Sequence, residues 1–388
     1  MSAVDDDPPL APPAGPDQWA VRHVTEETRT YPCSACGGAL EFDIGVQRLR
    51  CPHCGNEQDI IEDAGRVSAE QDFRAAVAAS RKRATAEGPQ LVGEKEIVCQ
   101  SCGGHTTFSG TLTATRCPYC ATPIQRDDVH EAPTRLPVDG VLAFQVDETS
   151  ARGSLEAWIK GRWFAPGEFK KYRRVGSFAS VYASYFTYDA DASTWYEGRR
   201  GDTYTVTVGR GQQQRTETRV RWRRASGRVN NVFDDICVLA NDGFDRDKVG
   251  ALEPWPTASA KAFSAEYLAG HLCRTYDHDV EECFGEAERR MAAEIDQTVR
   301  RDIGGDRQDV NRVETTMRTL TFRHLLLPIW LLTVIYAGQP FQVVINGMTG
   351  EVQGQRPWSM VKITAAVVAA LIVAAAVYLL WRSGAGGA

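Results

Sequence analysis

The sequence lacks an excess of positive charge, because 44 Lys and Arg residues face 50 Asp and Glu residues and leave a formal net charge of -6. No global attraction to a polyanion is therefore expected, and nucleic acid is not the default partner. A content of 43% hydrophobic and 24% charged residues excludes wholesale disorder and a polytopic membrane protein. With 388 residues, the chain exceeds what one hydrophobic core usually organises, so several domains are expected.

No secretory leader opens the chain, since residues 1–18 are acidic and rich in proline and have neither a basic nor an apolar segment. This composition predicts a disordered tail over residues 1–28. A reducing cytosol is the expected compartment for the eleven cysteines, and disulfide bonds are disfavoured there.

The starting motifs of several enzyme classes are also missing. The sequence contains no G-x-S-x-G, H-E-x-x-H or G-x-x-x-x-G-K-[ST], so hydrolase, zincin and P-loop mechanisms lack their first residues. Cys237, Cys273 and Cys283 are interpreted as ordinary buried thiols rather than nucleophiles. Asp234 and Asp235 are assigned no role. The sequence predicts a protein that is not an enzyme, with no catalytic residues.

What the sequence does contain is a repeated set of paired cysteines. The segment YPCSACGGALEFDIGVQRLRCPHC at 31–54 matches IVCQSCGGHTTFSGTLTATRCPYC at 97–120 with a shift of 66 residues. Two C-x2-C pairs separated by 14 residues supply the four thiolates of a tetrahedral zinc site. A closed site of this kind has no open coordination position, so the metal is structural. The sequence predicts two structural Zn²⁺ ions, with the ligands Cys33, Cys36, Cys51, Cys54, Cys99, Cys102, Cys117 and Cys120.

Alternatives and local details accompany this prediction. Iron bound as in rubredoxin uses the same cysteine turns and stays open as an alternative metal. Gly37, Gly55 and Gly103 follow the second cysteine of a pair and permit the positive φ that these turns favour, whereas Ala121 departs from the pattern. The predicted ribbons cover residues 29–62 and 95–128, with a helical spacer over residues 63–94 between them.

The predicted fold class is multidomain, with two small β zinc ribbons, an α+β middle domain with antiparallel strands, and one C-terminal transmembrane helix. The middle domain is expected over residues 129–358, with alternating strand patterns at 203–208, 216–224 and 232–239 and helices at 258–276 and 280–303. The uncharged run at 363–381 predicts a membrane anchor over residues 359–382 and a short tail over 383–388. The expected location is the cell membrane, crossed once, with the N-terminal bulk in the cytoplasm.

One charge pattern stands apart from the acidic average. Between residues 199 and 228 the chain has nine arginines but only Asp202 and Glu217 as acidic residues. Arg219, Arg221 and Arg223 alternate with Val220 and Trp222, so a strand would place the three guanidinium groups on one face. Either this is a solvated edge strand protected by charge, or the three arginines bind an anionic surface such as lipid or nucleic acid.

The chain resembles a bacterial family of membrane-anchored proteins with tandem zinc ribbons of the transcription-factor-IIB type, often named after primosomal protein N-prime (replication factor Y). The resemblance rests on the ribbons, LPVDGVLAFQVDETSA at 136–151, WIKGRWFAP at 158–166, the run from Arg219 to Asp235, DIGGD at 302–306 and the ending LLLPIWLLTVIY…INGMTGEVQGQRP. SVYASYFTYDA at 180–190 departs from the pattern of that family. A helicase activity is not implied, because the chain lacks a phosphate-binding loop.

The resemblance implies a membrane-anchored adaptor, with flotillin-like or phage-shock-type membrane-stress proteins as a possible partner class. The expected function is therefore a non-enzymatic zinc-ribbon adaptor or scaffold that recruits cytosolic or membrane-stress proteins to the bilayer. The alternative is a membrane-tethered, nucleic-acid-binding zinc-ribbon protein with a role in replication or transcription.

Overall fold

The computed structural model describes residues 26–60, 68–87, 95–98, 105–108, 112–116, 123–126, 136–161, 177–209, 214–336, 339–355 and 360–385. Strands make up 45% of the structure and helices 29%, so the molecule is mostly β. The predicted fold class, with its α+β middle domain, is therefore wrong. The β content is high because a few strands are very long. The sequence patterns predict several short strands in their place.

The first ribbon is a small antiparallel sheet of three strands, two of which lie between the cysteine turns and one after the second turn. A further strand precedes them and joins a different sheet. We call residues 31–58 the ribbon. The bounds of these strands are Glu26–Arg29 for β1, Glu41–Asp43 for β2, Arg48–Arg50 for β3 and Glu57–Gln58 for β4.

The next region contains one helix and short strands. Helix α1 begins at Phe73, whose side chain is buried and packs edge-on against Tyr188 and Phe322. The helix that was expected as a spacer thus also contributes to the core. The elements here are β5 (Gln71–Asp72), α1 (Phe73–Glu87), β6 (Lys95–Val98), β7 (His105–Phe108), β8 (Leu112–Arg116) and β9 (Pro123–Arg126).

The remaining elements form what we call the body, residues 136–355, and a C-terminal helix. A helix was expected at 258–276, but the structure has two short 3₁₀ turns there, Thr257–Ser259 and Ala265–Leu268, with short strands beside them. The elements are β10 (Gly140–Val141), α2 (Glu148–Lys160), β11 (Ser177–Val208), β12 (Arg215–Leu239), α3 (Arg246–Gly250), β13 (Lys261–Ala262), β14 (Leu272–Arg274), α4 (Val280–Ile303), β15 (Arg307–Tyr336), β16 (Gln339–Asn346), β17 (Val352–Gly354) and α5 (Met360–Ala385).

Three long antiparallel strands dominate the body, in the order β12-β11-β15. Strand β11 has 32 residues and would extend on the order of 100 Å if it were straight. The pairing with β15 ends at Gly201 opposite Arg307, whereas β12 stays paired with β11 as far as Val208. The last part of the sheet is therefore a two-stranded hairpin.

Helix α4 covers one face of these strands and spans the predicted residues 280–303. It buries one side chain every three or four residues, as an amphipathic helix does. Asp279 and Glu282 form a capping box at its start, and Gly304 follows its end with a φ of 67°. The buried residues of the helix are Val280, Cys283, Ala287, Met291, Ile295, Val299 and Ile303.

The prediction of a single transmembrane helix is contradicted. In the part of the chain that the structure describes, no helix has both the length and the apolar character needed to cross a membrane.

Candidate functional site

The four cysteines of the ribbon lie close together, and they could bind one metal ion. Their sulfur atoms all lie within 4.8 Å of one another. Cys33 Sγ is 3.6 Å from Cys54 Sγ, and Cys36 Sγ is 3.6 Å from Cys51 Sγ. A tetrahedral zinc ion with Zn–S bonds of about 2.3 Å requires sulfur–sulfur distances of about 3.8 Å. The spacing of the thiols therefore fits one tetrahedral ion.

Two equivalent backbone turns hold these sulfur atoms. The amide of Gly37 donates a hydrogen bond to Cys33 O at 2.8 Å, and the amide of Gly55 donates one to Cys51 O at 2.9 Å. Both glycines have positive φ values, 72° and 75°, which residues with a Cβ adopt only with strain. Glycine after the second cysteine of each pair is thus what allows the turn to close.

The electrostatics of the cluster favour a bound cation. Burial raises the pKa of the Cys33 thiol, but the backbone N–H groups of Ala35 and Cys36 and the neighbouring thiols outweigh it and lower this pKa to about 6. At Cys36 the N–H of Gly38 favours the thiolate, but the thiols of Cys54 and Cys51 and burial oppose it, and the pKa rises to about 12. Four thiolates at this distance repel one another, and a divalent cation removes that repulsion.

The ribbon is packed against the body. Phe42 of β2 is buried, and its ring centroid lies 5.3 Å from that of Tyr267 and 6.1 Å from that of His271. The amide of Phe42 also donates a hydrogen bond to Ala269 O at 2.9 Å. Gln47, at a φ of 56°, donates through Nε2 to Phe144 O at 2.7 Å. The ribbon and the body thus share a single hydrophobic core.

The second predicted cluster cannot be placed in the same way, because Cys99, Cys102, Cys117 and Cys120 lie outside the described residues. Strand β8, which lies between its cysteine pairs, is described and contacts the first ribbon. Arg116 makes a bidentate ion pair with Glu41, with a distance of 2.7 Å between Nη2 and Oε2. Strand β8 also pairs with β14 of the body.

A cleft of about 560 Å³ lies where the ribbon, the start of α2 and the body meet. His271 lines the cleft, and its Nδ1 is 2.8 Å from Ser180 Oγ. The ring stacks on Phe144 at 4.9 Å, and among the described residues its Nε2 has no hydrogen-bond partner. Burial, assisted by the charge of Arg116, lowers the pKa of His271 to about 3. The imidazole is therefore neutral at neutral pH and acts here as a packed aromatic ring.

The three cysteines outside the repeat are buried at separate points of the body. Burial raises the pKa of Cys237, Cys273 and Cys283, in the last two to about 12. They are thus protonated at neutral pH, whereas a nucleophilic cysteine requires a thiolate. The nearest polar contact of Cys283 Sγ is the backbone oxygen of His278, at 3.8 Å, not an imidazole nitrogen.

Arg219, Arg221 and Arg223 lie on one face of the hairpin formed by β11 and β12. Their cross-strand partners in β11 are Tyr204, Asp202 and Arg200, respectively. Arg221 lies over the ring of Tyr204, 5.1 Å from its centroid. On the opposite face, Arg199 lies over Trp222 at 5.2 Å. These guanidinium–aromatic pairs were missed from the sequence, although the alternation of Trp222 with arginines was an available signal.

A buried charge network was also missed. Arg323, only 9% exposed, forms an ion pair with Asp235, which also accepts a hydrogen bond from Thr257 Oγ1 at 2.6 Å. Burial raises the pKa of the nearby Asp189 to about 6. The carboxylates of Asp189, Asp234 and Asp235 lie within 4.8 Å of one another, but the guanidinium already supplies a positive charge. This arrangement explains Asp235 at its φ of 52° as a structural residue in an irregular part of the strand pairing.

Comparison with known proteins finds a distant relative. The chain is 25% identical over 337 residues to an uncharacterized protein of Bacillus subtilis (strain 168), YdjG, and the match covers 87% of this chain and 92% of the relative. No family model matches the chain. No solved structure matches it significantly. The similarity extends over nearly the whole length of both chains.

Proposed function

We propose that the chain is a non-enzymatic adaptor in which a structural zinc ion holds the first ribbon in shape. Support comes from the four-thiolate cluster, since four protein ligands fill a tetrahedral shell and leave no position for water or substrate. By the sequence repeat, Cys99, Cys102, Cys117 and Cys120 hold a second structural zinc ion.

The observation that best supports an adaptor is the packing of this ribbon against the body. A ribbon of this size has little core of its own, and metal binding supplies its folding free energy. Phe42 and Gln47 contact the body directly, so the structure that the metal gives to the ribbon is continuous with the body. The metal therefore also fixes the shape of the surface that the ribbon, the start of α2 and Trp330 form together. A rigid composite surface suits the recognition of a protein partner.

The resemblance to the tandem zinc-ribbon family provides a partner class for this surface, namely flotillin-like or phage-shock-type proteins. The experiment is affinity purification of the full chain with and without nuclease, followed by identification of the retained proteins. The expected result is recovery of such a protein in both cases. A double variant, Cys33→Ser with Cys36→Ser, should lose it, while Arg48→Gln, an exposed ribbon residue away from the sulfur atoms, should keep it. Loss of every partner after nuclease treatment would contradict the adaptor proposal.

A second candidate function is the binding of nucleic acid. The observation in its favour is the set of exposed arginines on the β11–β12 hairpin, two of which lie over aromatic rings. This candidate does not depend on the metal, because the hairpin and the ribbon are separate parts of the structure.

A further inference from the structure

The arginines of the long strands produce a strong separation of charge within the molecule. The described residues 197–228 and 307–320 of β11, β12 and β15 contain eleven arginines but only five carboxylates. The whole chain has a net charge of -6, so the remainder is markedly acidic. The arginines are Arg199, Arg200, Arg215, Arg219, Arg221, Arg223, Arg224, Arg228, Arg307, Arg312 and Arg318, and the carboxylates are Glu197, Asp202, Glu217, Asp309 and Glu314.

Part of this positive charge is not neutralised within the molecule. We call residues 199–208 together with 215–224 the distal hairpin. Arg199 pairs with Asp309, and Arg219 pairs with Glu217. Within the described part of the chain, Arg221, Arg223 and Arg224 form no ion pair, and all three are exposed. Asp202 lies opposite Arg221 but pairs with Arg200 instead. Charge that is exposed and unpaired is available to an anionic ligand.

The unpaired arginines lie on both faces of the hairpin. Arg223 is opposite Arg200, on the same face as Arg221, whereas Arg224 is opposite Arg199 on the other face. Trp222 shares the face of Arg224 and is 40% exposed, and Tyr204 shares the face of Arg221 and is 39% exposed. A planar lipid surface could contact only one of these faces at a time.

The width of the hairpin suggests which anionic ligand it fits. Among the described residues, the sheet beyond Gly201 consists of β11 and β12, about 4.8 Å apart. Arg219 and Arg221 lie on this two-stranded part, whereas Arg223 and Arg224 lie at its base, where β15 still pairs with β11. The major groove of duplex DNA is about 12 Å wide and admits a two-stranded β-ribbon, with phosphates on both sides of it. We propose that the distal hairpin inserts into the major groove of duplex DNA, a step that rests on the second candidate function above.

The aromatic residues favour duplex over single-stranded DNA. Unpaired bases bind mainly by stacking on exposed aromatic rings. In this hairpin a guanidinium lies over one face of each ring, Arg199 on Trp222 and Arg221 on Tyr204. Stacking of a base on that face would have to displace the guanidinium. In a groove, the same pairs hold the guanidinium groups toward phosphates and base edges.

The experiment measures fluorescence anisotropy of a labelled duplex of about 20 base pairs with the purified full-length chain between about 50 and 200 mM salt. The same labelled single strand and vesicles of phosphatidylglycerol and phosphatidylcholine are measured in parallel. The variant is R221Q/R223Q/R224Q. The matched control is R74Q/R152Q/R289Q, which removes the same charge at three exposed arginines outside the distal hairpin.

We expect the unmodified chain to bind the duplex with a salt dependence that corresponds to at least about three phosphate contacts. The hairpin variant should bind roughly tenfold or more weakly near 0.15 M salt, with a log–log salt slope that is shallower by about 3, and the control should not differ from the unmodified chain. Because the salt dependence is measured on the unmodified chain, the test does not depend on the folding of the variant.

Three results would overturn the proposal. Binding to vesicles without binding to duplex would assign the hairpin to lipid, and single-stranded DNA bound as tightly as duplex would exclude the groove. Binding to none of the three would leave the arginines as protection of a sheet edge against aggregation. None of these results affects the adaptor proposal, which is tested on nuclease-treated material.

Discussion

At the scale of single residues, the four cysteine thiols of the ribbon lie close enough together to bind one metal ion. We expect Cys33→Ser to lose one equivalent of bound metal, because a serine hydroxyl is a poor replacement for a thiolate on zinc. Metal analysis of the purified protein measures this loss. Cys237→Ala removes a buried thiol outside the cluster and should keep the metal content unchanged. Full metal content in Cys33→Ser would show that this residue is not a ligand.

Asp139 is a residue whose burial makes stability depend on pH. Its carboxylate accepts hydrogen bonds from the amide of His324 and from Gln71 Nε2, but burial outweighs them and raises the pKa to about 6. The unfolded chain releases this proton near pH 4, so between about pH 4 and 6 the folded state holds a proton that the unfolded state has lost. Stability is therefore lost as the pH rises through this window.

This dependence predicts the behaviour of Asp139→Asn. Since asparagine does not titrate, the variant should gain stability relative to the unmodified chain by up to about 3 kcal/mol between pH 4 and pH 7. Urea unfolding of both proteins at several pH values measures the difference. A difference that is independent of pH would contradict the raised pKa.

At the scale of elements, helix α4 provides the side chains that cover the long strands. Met291 is fully buried near the middle of this helix, so Met291→Ala should reduce the free energy of unfolding by roughly 3 kcal/mol through lost burial and a cavity. Met291→Leu nearly conserves volume and should cost less than about 1.5 kcal/mol. Chemical denaturation provides both values. Equal small losses would mean that α4 contributes little to the core.

The sequence allowed some elements to be predicted and not others, for a physical reason. The bounds of α4 and the glycines of the cysteine turns depend on local spacing and capping, which a sequence displays directly. The length of β11 depends on pairing with β12 and β15 across many residues, and such pairing leaves no local mark. The strands predicted at 203–208, 216–224 and 232–239 consequently belong to one long hairpin of β11 and β12.

At the scale of the whole molecule, the ribbon and the body behave as one unit because Phe42 joins them. Phe42→Ala should leave all four cysteine ligands in place and so preserve the metal content, but it should weaken the packing between ribbon and body. Limited proteolysis should then separate the ribbon faster than in the unmodified chain. Val46→Ala, at an exposed apolar residue of the same ribbon, should not change the rate. An unchanged rate in Phe42→Ala would mean that the ribbon does not depend on this contact.

Only part of the site could be predicted from the sequence, because some of its contacts join residues that are far apart in the chain. The cysteine spacing indicated the ligands of the first cluster, which lie close together in the structure. The packing of Phe42 on Tyr267 and the pairing of Arg323 with Asp235 join residues far apart in the chain, and only the fold brings them together. The hairpin arginines could be assigned to one face from their alternation, but the residues opposite them follow only from the pairing of β11 with β12.

Zinc K-edge X-ray absorption of the purified full chain, combined with metal analysis, distinguishes closed structural metal sites from open ones. We expect two zinc ions per chain, each with a shell of four sulfur atoms at about 2.3 Å. A shell containing nitrogen or oxygen would indicate an open position at the metal and would contradict a purely structural role. Iron in place of zinc, or one ion shared by both cysteine sets, would contradict the assignment of the metal.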